Sequence, residues 1–174
     1  MSNHPVELVT PQATVESVQR AVRHPSAQKI SPEFVVSECM RPGDSVSAPF
    51  QRLATELAAR EAEILSLMIY GALAARSEIE PAMRTVLGET RWPVTWVEGA
   101  SCDGAPLAGV QAFALSGRSI RRVHVGDRVV GSVYEDGGAR HCLLGGLGPT
   151  ALALGAPAQV QQTFGNLEWA LDQA

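Results

Sequence analysis

A strand-like run, a loop and an amphipathic helix occur twice in this chain, at 34–60 and again at 140–174. In the helices, Phe50, Leu53 and Leu57 return as Phe164, Leu167 and Leu171, with the same steps of three and four that line up side chains on one helix face. The spacing predicts that both helices do the same packing job. The first copy runs on into a strand, a second helix and two more strands, whereas the second copy reaches position 174 at the end of its helix.

With 174 residues and 45% hydrophobic content, the chain can bury a substantial core in one domain or in one and a half. Its formal charge of −4 argues against nucleic acid, which is gripped by a net basic surface or a concentrated basic stripe. The longest apolar run, 64–73, is too short to cross a bilayer, so no membrane partner is expected. Cys39, Cys102 and Cys142 are odd in number and widely spaced, without a C-x-x-C pair or a signal-peptide pattern, which predicts a reducing, cytoplasmic setting.

Three segments follow. Residues 1–32 read as an N-terminal arm, with Pro5, Pro11, Pro25 and Pro32 around one short helix at 15–23. Residues 33–116 read as strand 34–40, helix 50–61 opened by Pro49, strand 64–70, a helix capped by Ser77 and stopped by Gly88, and strands 93–98 and 107–115. Residues 117–174 read as a β-meander, 120–125, 129–135 and 140–144, followed by a helix at 158–173 with Val160, Phe164, Leu167 and Leu171 on one stripe. The expected fold class is α/β: a mixed sheet with helices packed on one face, plus the additional meander and C-terminal helix.

Two stretches resemble the Rid/YjgF family, whose fold is chorismate-mutase-like, and most closely the chorismatase-like proteins. The first is Arg91-Trp92-Pro93-Val94-Thr95-Trp96-Val97-Glu98 with Val110-Gln111-Ala112, similar to the family's Pro-x-Arg and Ile-Glu-Ala strands. The second is Arg140-His141-Cys142-Leu143-Leu144-Gly145-Gly146 with Gln162-Thr163-Phe164-Gly165-Asn166-Leu167, similar to its early strand and first helix. The resemblance implies a degenerate first Rid-like domain at 33–116 and the opening of a second at 117–174, with a homotrimer as the expected assembly. It also places Val94 where deaminating members hold the carboxylate-gripping arginine, and Gly109 where they hold the water-positioning glutamate. Neither side chain can do that chemistry, so no intact deaminase site is expected.

Candidate sites follow from the remaining chemistry. Trp96, Glu98 and Ser101 are one set of ligand-binding candidates, with Trp92 and Trp96 sharing a strand face able to wall an apolar cleft. Arg140, His141 and Cys142 are the other set, although neighbours on a strand point to opposite faces, so His141 and Cys142 do not form a thiol-imidazole pair. His124 approaches His141 if their strands pair. Scattered histidines give no metal site, Gly145-Gly146-Leu147-Gly148 lacks the residues of a nucleotide loop, and no cofactor is expected. Arg118, Arg121, Arg122 and Arg128 lack interleaved aromatics and read as solvated or pairing charges rather than an RNA site.

The expected function is a chorismatase-like protein binding a small carboxylated metabolite at an inter-subunit cleft. The alternatives are an active chorismate-type lyase or hydrolase, with a site built at the interface from Arg140, His141, Glu98 and a neighbour's residues, or a structural partner of a catalytic chain. Whether the chain is an enzyme is left open by its sequence.

Overall fold

The computed structural model describes residues 33–99, 101 and 103–174. The expected arm at 1–32, its helix at 15–23, and Cys102 lie outside the described residues. Two sheets and three helices make a mixed α/β body. A four-stranded sheet has the order β1-β4-β2-β3, from Glu33–Cys39 (β1), Ala62–Gly71 (β2), Val94–Glu98 (β3) and Leu107–Ser116 (β4). A three-stranded meander follows: Arg121–Val125 (β5), Arg128–Asp136 (β6) and Ala139–Leu144 (β7). The helices are Ala48–Ala59 (α1), Arg76–Leu87 (α2) and Ala156–Asp172 (α3).

The first sheet is mixed because β2 and β3 run parallel through the α2 crossover, while β4 pairs antiparallel with both β1 and β2. One face takes the helices. Phe50, Leu53 and Leu57 of α1 and Ile79 and Met83 of α2 are buried against Ile64, Leu67, Ile69, Val110 and Ala112. Burying each such side chain contributes about 1.5–3 kcal/mol, so this cluster dominates the stability of the body. Pro49 supplies the preset φ that opens α1. Arg52 then fastens the preceding loop, donating to Glu38 at 2.7 Å, Asp44 at 2.9 Å and the Cys39 carbonyl at 2.6 Å. Its hydrogen bond holds the Asp44 carboxyl below the usual carboxylate range.

Helix α2 differs from expectation at its start. It begins at Arg76 with no side-chain cap, directly after a 3₁₀ turn at Leu73–Ala75, so Ser77 lies inside it. The incoming turn already carries helix-like backbone, which removes the need for a capping hydroxyl.

The other sheet face meets the meander. Leu65 sits where the β2–β4 register slips between Ile64 and Ser66, and it packs with Leu115, Tyr134 and Leu143. This bulge turns backbone acceptors toward the second sheet. The Ile64 carbonyl accepts Arg122 at 2.9 Å, the Leu65 carbonyl accepts the Ser132 hydroxyl, and Arg122 also donates to Ser132 at 2.6 Å. Burial pulls the Arg122 pKa down, with Glu63 at 3.6 Å opposing.

Gly109, the position opposite β1, has a structural reason to lack a side chain. A Cβ there would stand 2.6 Å from the Glu38 carbonyl oxygen. Close backbone approach between β1 and β4 therefore excludes a glutamate at 109 in this arrangement.

The expectation that α1 and α3 pack alike is overturned. Phe50 and Leu53 are fully buried, whereas Val160, Phe164 and Leu171 are exposed and Leu167 is only partly covered. Helix α3 meets the meander through Ala170, which is buried with Val123, Val130 and Val133. Its amides hold the preceding loop: Gln162 accepts from the Thr150 and Ala151 N–H groups, and Asn166 donates to the Gly148 carbonyl. A small residue and a row of amides thus form the packing side, and the larger apolar side chains face outward.

Candidate functional site

A recess of about 650 Å³ lies along β3, between α2 on one side and the β5–β6 turn and the segment after β7 on the other. Helical spacing of four puts Arg76, Glu80 and Arg84 on one face of α2. Both arginines use the same carboxylate: Arg76 lies 3.2 Å and Arg84 2.7 Å from Glu80. The Arg76 guanidinium also lies 5.1 Å from the ring centre of Trp96, within cation–π range.

Strand alternation brings Trp92, Val94 and Trp96 to the recess from β3 and its approach. Trp92 is buried, and its Nε1 has no hydrogen-bond partner. It also borders a second recess of about 300 Å³ that Arg91, Arg122 and Glu63 share with apolar residues of α1 and α2. The wall opposite α2 comes from Asp127, Arg128, Gly146 and Leu147. Gly146 donates its N–H to Thr95 Oγ1 at 2.9 Å, and has φ of 62°. A Cβ at 146 would run into the Val94 carbonyl, so only glycine lets the chain pass this close to β3.

Three guanidiniums and three carboxylates (Glu80, Glu89 and Asp127) line this recess, so its formal charge is zero. The electrostatic character is local. Two arginines on one glutamate leave an uncompensated cation beside the indole of Trp96. That combination, a planar donor fork beside a flat aromatic wall, is suited to a carboxylate carried on a ring.

Of the six residues that sequence singles out, Trp96 alone lines this recess. Glu98, at the end of β3, accepts the Leu73 N–H at 2.9 Å and so holds the turn into α2. Ser101 donates to Asp103, whose carboxyl is held below its ordinary range by that bond. Arg140 lies 3.8 Å from Glu135 and reaches the Ala174 carbonyl at 3.3 Å. His141 stacks on Tyr134 with ring centres 4.8 Å apart. None of the described hydrogen bonds or ion pairs joins Glu98 to Arg140 or His141.

Burial pushes the Cys142 thiol up, with Arg121 opposing. This is the reverse of what an activated nucleophile needs. The approach of His124 to His141 through pairing strands does not occur, because β6 lies between β5 and β7. Among the described residues no group of three or more His, Cys, Asp or Glu side chains could hold a metal ion. No described helix is long and apolar enough to cross a membrane.

The dense arginine run has separate structural tasks. Arg121 donates to the carbonyls of Gln173 and Ala174 at 2.6 Å each, where a cation complements the last turn of α3. Arg118 pairs with Asp136 at 2.9 Å, and Arg122 joins the sheets. Only Arg128 faces the recess. The four-residue repeat of Arg76, Glu80 and Arg84 was a usable signal for the site, but in α2 the apolar positions draw attention to the opposite face.

No family model, no curated protein and no solved structure matches this chain.

Proposed function

We propose that this protein binds a small carboxylate borne on a ring, in the recess between α2 and β3. The observation that carries the reading is the sharing of Glu80 by Arg76 and Arg84, beside the ring of Trp96. An incoming carboxylate takes the guanidinium edges that Glu80 leaves unfilled, and the ring lies along the indole wall. The Rid-like and chorismatase-like resemblance favours the same ligand class, of which chorismate is the natural first choice. The recess is lined within one chain, so the reading needs no residue from a neighbour.

The reading is of binding without turnover. The recess holds carboxylates and guanidiniums but no histidine or cysteine, and Gly109 leaves no acid at the position where deaminating relatives position water. The test is incubation of the purified chain with chorismate, following ligand binding by calorimetry and pyruvate release by a coupled assay. Binding without pyruvate is expected. Pyruvate release abolished by Arg140→Ala would replace this reading with the lyase on the β7 edge.

A further inference from the structure

The second recess, about 300 Å³, lies where the C-terminal halves of α1 and α2 meet the start of β2. That volume is at the lower end of the range for small-molecule sites. Apart from Trp92, which also borders the first recess, its apolar lining is aliphatic. Leu57 and Ile64 are buried there, and Val86 and Leu87 are partly covered.

The polar side chains of this recess are, with one exception, donors. Arg122 reaches it from β5 with its side chain only 17% exposed. Its Nη1 is filled by the Ile64 carbonyl and the Ser132 hydroxyl, whereas Nη2 and Nε have no hydrogen-bond partner among the described residues. Glu63, the exception, stands 3.6 Å from Nη2, beyond hydrogen-bond reach, and is itself 72% exposed. Arg91 is exposed and makes no hydrogen bond or ion pair among the described residues. Trp92 adds a buried indole N–H without a partner.

Two guanidiniums against one glutamate give this recess a formal charge of +1. A largely buried guanidinium whose counter-ion sits in solvent is poorly compensated, and a monoanion brought into the recess corrects that. Nη2 and Nε form one edge of the guanidinium plane, a two-donor fork whose spacing matches the two oxygens of a carboxylate. The aliphatic lining then sets what the carboxylate is attached to.

We propose that this recess is a second binding site, and that it takes a straight-chain aliphatic carboxylate. The carboxylate takes the Nη2–Nε edge of Arg122 in place of Glu63, Arg91 supplies the second positive charge, and the chain lies along Leu57, Ile64, Val86 and Leu87. The site is separate from the ring-carboxylate recess, whose arginines Arg76 and Arg84 do not line it.

Calorimetric titration of the full chain with straight-chain carboxylates from butanoate to octanoate tests this, with hexan-1-ol as the uncharged control. Saturable binding is expected, tightening about fourfold per methylene until the recess is full. Hexan-1-ol should bind at least about tenfold more weakly than hexanoate. Glu63→Gln removes the competing carboxylate and should tighten octanoate binding about two- to fivefold. Ala54→Leu fills the recess from α1 and should weaken octanoate at least about tenfold, while benzoate, the ligand class of the other recess, is unaffected. If Ala54→Leu does not fold, Arg91→Ala, at an exposed side chain, serves instead and should weaken octanoate about two- to fivefold. Absence of saturable binding to the wild type, equal binding of hexan-1-ol and hexanoate, or octanoate affinity indifferent to these substitutions would each overturn the proposal. Octanoate and benzoate weakening together in Ala54→Leu would overturn it as well, by placing both ligands in one site.

Discussion

The guanidinium of Arg76 lies 5.1 Å from the ring centre of Trp96 while Nε holds Glu80 at 3.2 Å. This side chain therefore links the charged and aromatic walls of the recess. Arg76→Met keeps the aliphatic stem and removes both contacts. It should weaken binding of a ring carboxylate by about tenfold, near 1.4 kcal/mol, with unfolding stability little changed because the Arg76 side chain is itself 55% exposed and Glu80 keeps Arg84 as a partner. Calorimetric titration beside a urea melt separates the two effects.

Arg122 and Ser132 are the polar join between the two sheets, and both converge on the β2 bulge. Ser132→Ala leaves the Leu65 carbonyl and the Arg122 guanidinium short of a partner. A loss of about 1–3 kcal/mol in unfolding free energy is expected. Glu63→Gln changes the exposed partner of Arg122 and should cost much less.

Tyr134 is buried, and desolvation together with its hydrogen bond to Glu33 pushes its hydroxyl up to about 12. A pKa above the unfolded value of about 10 favours the folded state while the phenol is neutral. This contribution is whole below pH 10 and is lost as pH rises from 10 through 12. Absorbance at the tyrosinate band should show a late step near pH 12, accompanied by unfolding and absent in Tyr134→Phe.

Gly146→Ala combines a positive φ with a clash against the Val94 carbonyl. The expected cost is about 1–3 kcal/mol, and the recess should change with it, because the wall at 146–147 must move off β3. Gly148→Ala, two residues on and with open space around it, is the control and should be nearly neutral.

Periodicity in the sequence identified every described strand and α-helix to within a few residues, though not the 3₁₀ turn at Leu73–Ala75, because β2 and β4 are largely apolar runs and α1 carries an unambiguous stripe. What periodicity could not supply was the partner of each face. The stripe on α3 is as clear as that on α1, yet the body meets Ala170, since a small residue lets the helix sit close to Val123 and Val133 while amides hold the loop. Similarly, His124 and His141 lie on strands that never touch, a fact set by the meander order rather than by either residue. The recess draws on positions from 76 to 147, brought together only by the α2 crossover and the return of the chain past β3. Trp96 was legible because an aromatic on a strand edge is conspicuous. Arg84 was passed over although its four-residue spacing from Glu80 was visible, since such a pair on a helix is usually a solvated one.

The most direct test of the central claim is a calorimetric titration of the wild-type chain and of Arg84→Ala with chorismate, alongside benzoate and benzamide as a charged and an uncharged ring. The account predicts saturable binding of the carboxylates to the wild type, no binding of benzamide, and at least about a tenfold loss for both carboxylates in Arg84→Ala. Absence of carboxylate binding to the wild type, or equal affinity in the variant, would contradict it.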